Sequence, residues 1–176
     1  MQPVPWYVIR GLRGTRATSR LVVLAVACLL VLAVSFAEAR IAPQRGIMGI
    51  HLGMTGTEVI QKKGQPDAET VVPNEILGQQ RILRYGKTKA GLSGPKRKDT
   101  VVAVTTRDRR QRTRSGVGVG SKEKAVKNRI NGITCQTDAG VRHCFKGAFL
   151  PGHRVTDFRI SASHRVKRVT VSFVVD

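Results

Sequence analysis

The sequence predicts an α+β protein: two tandem units, each a short helical segment packed on an antiparallel β-sheet. Three observations carry this expectation. The stretch GIHLGMTGTEV (49–59) matches GVGVGSKEKAV (116–126) at an offset of 67 residues, setting Gly49 on Gly116, Gly53 on Gly120 and Val59 on Val126. Each copy runs from an apolar alternation through a glycine into a helix-start signal. Much of the chain after each copy alternates apolar and polar residues with period two, as a strand with one buried face does.

Residues 1–39 read as a secretory signal peptide ahead of both units. Four arginines (Arg10, Arg13, Arg16, Arg20) precede an uncharged apolar run of seventeen residues, Leu21 to Ala37, and Ala37-Glu38-Ala39 supplies a small-x-small cleavage signature. The expected location is therefore secreted, periplasmic or in the cell envelope, with cleavage after Ala39. A retained membrane anchor is the alternative, since the run lies at the short end of a spanning helix. Cys28 sits inside the apolar run with eight more apolar residues behind it, so it reads as a small apolar side chain and not as a lipid-bearing cysteine.

The first unit is expected over 40–112. Thr55 is its candidate N-cap, with Glu58 completing a capping box, and Gly64 and Pro66 stop the helix. Strands follow at 81–86 and 100–106, joined by a Gly/Pro/Lys-rich loop at 87–99. RDRRQRTRSG (107–116) reads as an exposed linker or strand extension. The second unit, 113–176, is expected to start its helix at Ser121, with Glu123 in the first turn, and to end it near Gly132. Its strands are expected at 141–146, 154–161 and 165–175. In the last, Val166, Arg168, Thr170 and Ser172 alternate with Lys167, Val169, Val171 and Phe173.

The glycines at 116, 118 and 120 do not make a phosphate loop. Their third member comes one residue early for a dinucleotide fingerprint, no Gly-Lys-Ser/Thr follows, and the matching segment has His51 at the middle position. No cofactor and no small-molecule ligand is implied.

Two cysteines remain after cleavage, Cys135 and Cys144, and in an oxidising compartment they read as a disulfide. Metal binding with the nearby His143 and His153 is the rival, although the adjacent His143-Cys144 does not fit a zinc-finger or ribbon spacing. Removing residues 1–39 takes away four arginines and Glu38, which leaves 27 basic and ten acidic residues in 137 and a net charge of +17. The natural counterparts of such a field are polyanions. Outside the cytoplasm these are lipid head groups or wall polymers ahead of nucleic acid. The candidate anion-binding residues are Lys96, Arg97 and Lys98 in the loop, and Arg107, Arg109, Arg110, Arg112 and Arg114 in the linker.

No catalytic constellation is visible. No Ser or Cys stands in a nucleophile elbow, and His153 with Asp157 would pair only on a helix, where a strand is expected.

Ile50, Gly53, Met54, Thr55, Val59, Gly64 and Pro66 form a motif that resembles the SmpA/OmlA (BamE-like) envelope family. A tandem of two such units in a secreted protein also resembles the β-lactamase inhibitory protein. The resemblance implies, for each unit, a short helical part on an antiparallel sheet. The chain departs from both. BamE-like proteins are lipoproteins of one unit, and the mature chain has no tryptophan with which to build an aromatic binding face. The expected function is a secreted or envelope-associated non-catalytic module that binds an envelope protein or an anionic surface. The alternative is a secreted hydrolase whose site is not visible in the sequence.

Overall fold

In the computed structural model residues 40–94 and 98–175 are described, so the signal segment and the candidates Lys96 and Arg97 lie outside the described residues. Three two-residue strands come first: β1 (Ile41–Ala42), β2 (Gly46–Ile47) and β3 (Ile50–His51), forming a small antiparallel sheet. Helix α1 (Gly56–Lys63) follows. Then come four strands joined as successive hairpins, β4 (Ala68–Asn74), β5 (Gly78–Tyr85), β6 (Thr88–Ser93) and β7 (Thr100–Thr106). Helix α2 (Glu123–Arg129) precedes β8 (Ile133–Asp138), β9 (Val141–Lys146), β10 (Arg154–Ile160) and β11 (Val166–Phe173). The eight long strands make one sheet in the order β4-β5-β6-β7-β11-β10-β9-β8. Its two halves join where Ala103–Thr106 pairs antiparallel with Val169–Ser172.

This corrects the expected α+β class. The protein is mostly β, a single eight-stranded antiparallel sheet with a three-stranded second sheet, and not two tandem helix-on-sheet units. The two helices among the described residues are eight and seven residues long. Helices this short cover little of a sheet face. The apolar lead-in to α1 provides much of the cover instead, by pairing with itself. The expected loop 87–99 also contains a strand, because Thr88, Ala90 and Leu92 of β6 point alternately inward beneath their polar neighbours.

One face of the large sheet is the core. The register row Leu83, Ala90, Val104, Val171 and the row Thr88, Thr106, Val169, Phe158, Cys144 lie on it, and all are essentially buried. Ile41, Ile47 and Ile50 of the small sheet are fully buried and join this core, with β2 touching both β7 and β11. The small sheet thus covers the junction of the two halves. Simple alternation places Val166 with Arg168 on the polar side, yet Val166 is buried. The pairing shifts between Arg159↔Arg168 and Ile160↔Val166, so Lys167 is an extra residue and returns Val166 to the core.

Helix α1 begins as its sequence implies. The Glu58 N–H donates to Thr55 Oγ1 at 3.2 Å and the Thr55 N–H to Glu58 Oε2 at 2.7 Å, a complete capping box. Helix α2 does not. Its N-cap is Lys122, without a side-chain cap. The Ser121 hydroxyl instead accepts from the Gly118 N–H at 3.1 Å and from Arg112 Nη1 at 2.9 Å. Gly118 has a packing reason to be glycine, since a side chain there would run into the Gln111 carbonyl. Gly53 and Gly120, matched in sequence, both take positive φ (84° and 90°) and donate their N–H groups to the strand carbonyls of Val101 and Val166. The arginine-rich linker is therefore not simply exposed. Asp108, Gln111 and Thr113 are buried, and the Arg112 carbonyl accepts from the Ile41 N–H at 2.9 Å.

Cys135 and Cys144 are register partners on β8 and β9 and form a disulfide. Glu123 approaches the two sulfurs, but their bond leaves no thiolate to complete a metal site with it. Glu123 is buried at the start of α2, with Arg142 Nη2 at 2.6 Å, Lys127 Nζ at 3.0 Å and His164 Nδ1 at 3.3 Å. The hydrogen bond from Arg142 is the main reason its carboxyl is held down at about 2.

Two outcomes follow. Replacing both cysteines by serine should lower unfolding free energy by roughly 2–3 kcal/mol in chemical denaturation, the loop-closure value for about ten residues. An unchanged midpoint would show that the bond constrains nothing. Glu123 takes up its proton at higher pH in the unfolded chain than in the folded one. The stability it contributes is therefore complete above about pH 5 and lost as pH falls towards 2. Thermal melts should show a smaller acid-induced loss over that window in Glu123→Gln than in the wild type.

Candidate functional site

The face of the large sheet opposite the core is open and polar. One register row crosses it as Arg84 (β5), Lys89 (β6), Thr105 (β7), Thr170 (β11), Asp157 (β10) and Phe145 (β9). Because neighbouring strands are about 4.8 Å apart, Arg84 and Phe145 are roughly 24 Å from each other along this row. A parallel row carries Arg168, Arg159 and His143. Beyond the ends of β6 and β7, the Arg107 N–H donates to the Lys87 carbonyl at 3.0 Å, which brings those two cations together.

A groove of about 710 Å³ opens here over β5, β6, β7 and β11. Arg84, Lys87, Lys89, Arg107 and Arg168 line it, with the Thr105 hydroxyl among them and, among the described residues, no carboxylate in its wall. Among the described residues none of these five cations, nor Arg159, has an ion-pair partner. Burial pulls the Arg168 guanidinium below its ordinary range; Arg159 and Arg107 pull in the same direction and Asp157 opposes them.

The far end of the face is aromatic. Phe145 and Phe149 meet edge to face at 4.8 Å, and His143 stacks at a tilt against both, at 5.5 and 5.9 Å. His143 Nδ1 and Asp157 Oδ1 are 2.9 Å apart. The pair that forms is thus His143–Asp157 across two strands, and not His153–Asp157. His143 Nε2 is buried and makes no hydrogen bond among the described residues, so none of them sets a hydroxyl or thiol against it where a nucleophile would stand.

The residues expected from sequence are distributed differently. Arg107 alone of them lines the groove. Arg110 closes on Asp108, with Nη2 to Oδ2 at 2.9 Å, and Arg112 is tied to Ser121. Arg109 lies beside Gly120, Arg114 is exposed on the turn before Gly116, and Lys98 stands next to Asp99 at the start of β7. Arg84, Lys87, Lys89, Arg159 and Arg168 were missed. They are scattered over strands far apart in the chain or just beyond their ends, and the signal that unites them is strand order. Among the described residues, no helix is long and apolar enough to cross a membrane.

No protein-family model and no curated protein matches the chain. Among solved structures it is similar to an extracellular protein containing an SCP domain from Bacillus anthracis, at 12% identity and a TM-score of 0.46 over 74% of this chain and 46% of that one. It is also similar to a cysteine-rich secretory protein from Staphylococcus aureus, at 14% identity and 0.42, over 74% and 47% of the two chains. A DUF4309 family protein from Bacillus subtilis matches at 14% identity and 0.44, over 79% and 90%. The chain spans about half the length of the first two. Likeness at this level carries no functional assignment.

Asp157 is the carboxylate whose charge opposes the repulsion that Arg159 and Arg107 exert on Arg168. Asp157→Asn should therefore lower the melting temperature at low salt, and added salt should narrow the gap to wild type. A gap that salt leaves unchanged would mean that Asp157 acts through its bond to His143 alone.

Proposed function

We propose that this chain is a secreted or envelope-associated, non-catalytic binding module that engages an anionic envelope surface through the open face of its large sheet. The observation that carries this reading is the groove with five cations and no carboxylate in its wall. Lipid head groups or wall polymer supply the opposing charge. The resemblance of the Ile50–Pro66 motif to an envelope family, and the signal-like first 39 residues, are in keeping with that location. A hydrolase would need a nucleophile beside His143, and its free nitrogen faces none among the described residues.

The linker arginines contribute less to this reading than their number implies, since Arg110 and Arg112 already have partners. A lysine or arginine near an anionic bilayer contributes about 1 kcal/mol. The triple variant Arg84→Gln, Lys87→Gln, Lys89→Gln should thus bind phosphatidylglycerol-containing vesicles about a hundredfold more weakly at low salt. Replacing Arg109, Arg110, Arg112 and Arg114 together by glutamine should have the smaller effect in the same sedimentation assay. A groove variant that binds as wild type does would sink this reading, and an equal loss from both variants would reduce it to unspecific charge.

A further inference from the structure

Arg159 and Arg168 are directly opposite each other on β10 and β11, on the open face. Opposed residues of an antiparallel pair have Cβ atoms about 4.5–5.5 Å apart, and like charges so placed destabilise the sheet. The Nε of each guanidinium is buried and makes no hydrogen bond among the described residues. Leaving a buried donor of a charged group unmet costs more than leaving a neutral one. Arg107 adds a third positive charge close enough to disfavour the charge on Arg168. The nearby carboxylate, Asp157, has Oδ1 engaged with His143. Counting Asp157 against the three arginines, the four side chains carry a formal net charge of +2. One hydrogen bond joins Thr105 and Thr170 on the adjacent row at 3.1 Å, so of their two hydroxyl protons one is left to donate.

Two neighbouring guanidiniums, neither with an ion-pair partner among the described residues, fit a ligand with several acceptor oxygens on one centre, met by their terminal nitrogens. A carboxylate is satisfied by a single arginine fork, and a phosphodiester carries one negative charge. A phosphomonoester carries −1.5 to −2 at neutral pH and three free oxygens, which matches both the charge and the donors of the cluster.

We propose that Arg159, Arg168 and Arg107 form a seat for one phosphomonoester group, presented by an envelope lipid or polymer or free in solution. This deepens the anionic-surface reading and rests on it, by giving the open face one specific contact within a wider field. Such a contact takes on a charge repulsion already present in the free protein, so occupancy removes an existing strain.

The test is calorimetric titration of the mature protein with sn-glycerol 3-phosphate, alongside vesicles of phosphatidylcholine doped with either phosphatidic acid or phosphatidylglycerol. Wild type should bind glycerol 3-phosphate at one site. Arg159→Gln and Arg168→Gln should each weaken it at least tenfold, while Lys62→Gln, which removes the same charge from an exposed position on α1, leaves it unchanged. Without ligand, Arg168→Gln should melt no lower than wild type because a repulsion is relieved. If that variant fails to fold, Arg107→Gln, on an exposed residue, takes its place with a several-fold loss expected. A preference for phosphatidic acid over phosphatidylglycerol that disappears in the arginine variants assigns the seat to a lipid source. Binding of glycerol 3-phosphate without that preference assigns it to a soluble or polymeric one. Absence of glycerol 3-phosphate binding, or wild-type affinity in both Arg159→Gln and Arg168→Gln, overturns the seat, and groove-dependent binding to phosphatidylglycerol would then leave the broader reading intact. Binding of glycerol 3-phosphate with vesicle binding insensitive to the groove variant would do the reverse.

Discussion

The pairing of β7 with β11 is the contact on which the rest of the structure depends. Each strand ends a run of four hairpin-linked strands, and each is rich in valine. Left apart, they would be two apolar open edges, the arrangement most prone to pairing with other chains. Joined, they set Val104 against Val171 inside and Thr105 against Thr170 outside. A slip of one residue would turn the valines to solvent and the threonines to the core, so the hydrophobic pattern fixes the register. The three isoleucines of the small sheet bury the inner side. The outer side follows from the same register: Lys87, Lys89 and Arg107 come from one half of the chain and Arg159 and Arg168 from the other. They share a face because the valines do.

What makes that face cationic is where the acids go as much as where the bases are. Glu58 closes the capping box, Asp67 accepts from the Gly86 N–H, and Asp99 and Glu69 hold Arg81. Asp108 holds Arg110, Glu123 holds Arg142 and Lys127, and Asp157 holds His143. Seven of the ten carboxylates that follow residue 39 therefore do structural duty, and none of the seven lines the groove. The remaining edges of the sheet are managed in other ways. Strand β4 carries Glu69 and Pro73, both poor templates for a further strand, and β8 is fastened to β9 by the disulfide.

What could be read in the sequence was what depends on neighbours in the chain. The Thr55–Glu58 box spans three residues and forms as expected. The cysteine pair and the strands β7, β9, β10 and β11 also show themselves locally, through separation and through alternation. Strand β6 was hidden because Ala90 and Gly91 weaken its alternation and lysines flank it. Strand β4 was hidden because it is an edge, nearly all exposed, with no buried face to leave a pattern. Ser121 misled because its hydroxyl is claimed by Arg112 and Gly118, partners that only the folded linker provides. The groove was illegible for the same reason on a larger scale. A run of arginines such as 107–114 is conspicuous in one dimension, while Arg84, Lys89 and Arg168 converge only once strand order and register are known.

Arg168 differs from the linker cations in physical character as well as in visibility. Arg109, Arg110 and Arg114 are exposed, and water already solvates their charge, so an anion gains little by replacing that water. Arg168 is held on the central part of a sheet, partly desolvated, opposite Arg159 and near Arg107. Its backbone pairs with Arg159 on β10, and the pairing with β7 begins at the next residue, Val169, so little backbone freedom is left to lose when a ligand arrives. Desolvation and repulsion have been imposed by folding, before any partner is present. An anion that reaches Arg168 meets a charge that has already lost part of its water, and a contact there is stronger than at the exposed Arg84, Lys87, Lys89 and Arg107 or on the linker. Position on the sheet, and not the number of arginines in a segment, therefore decides which cation the fold itself desolvates.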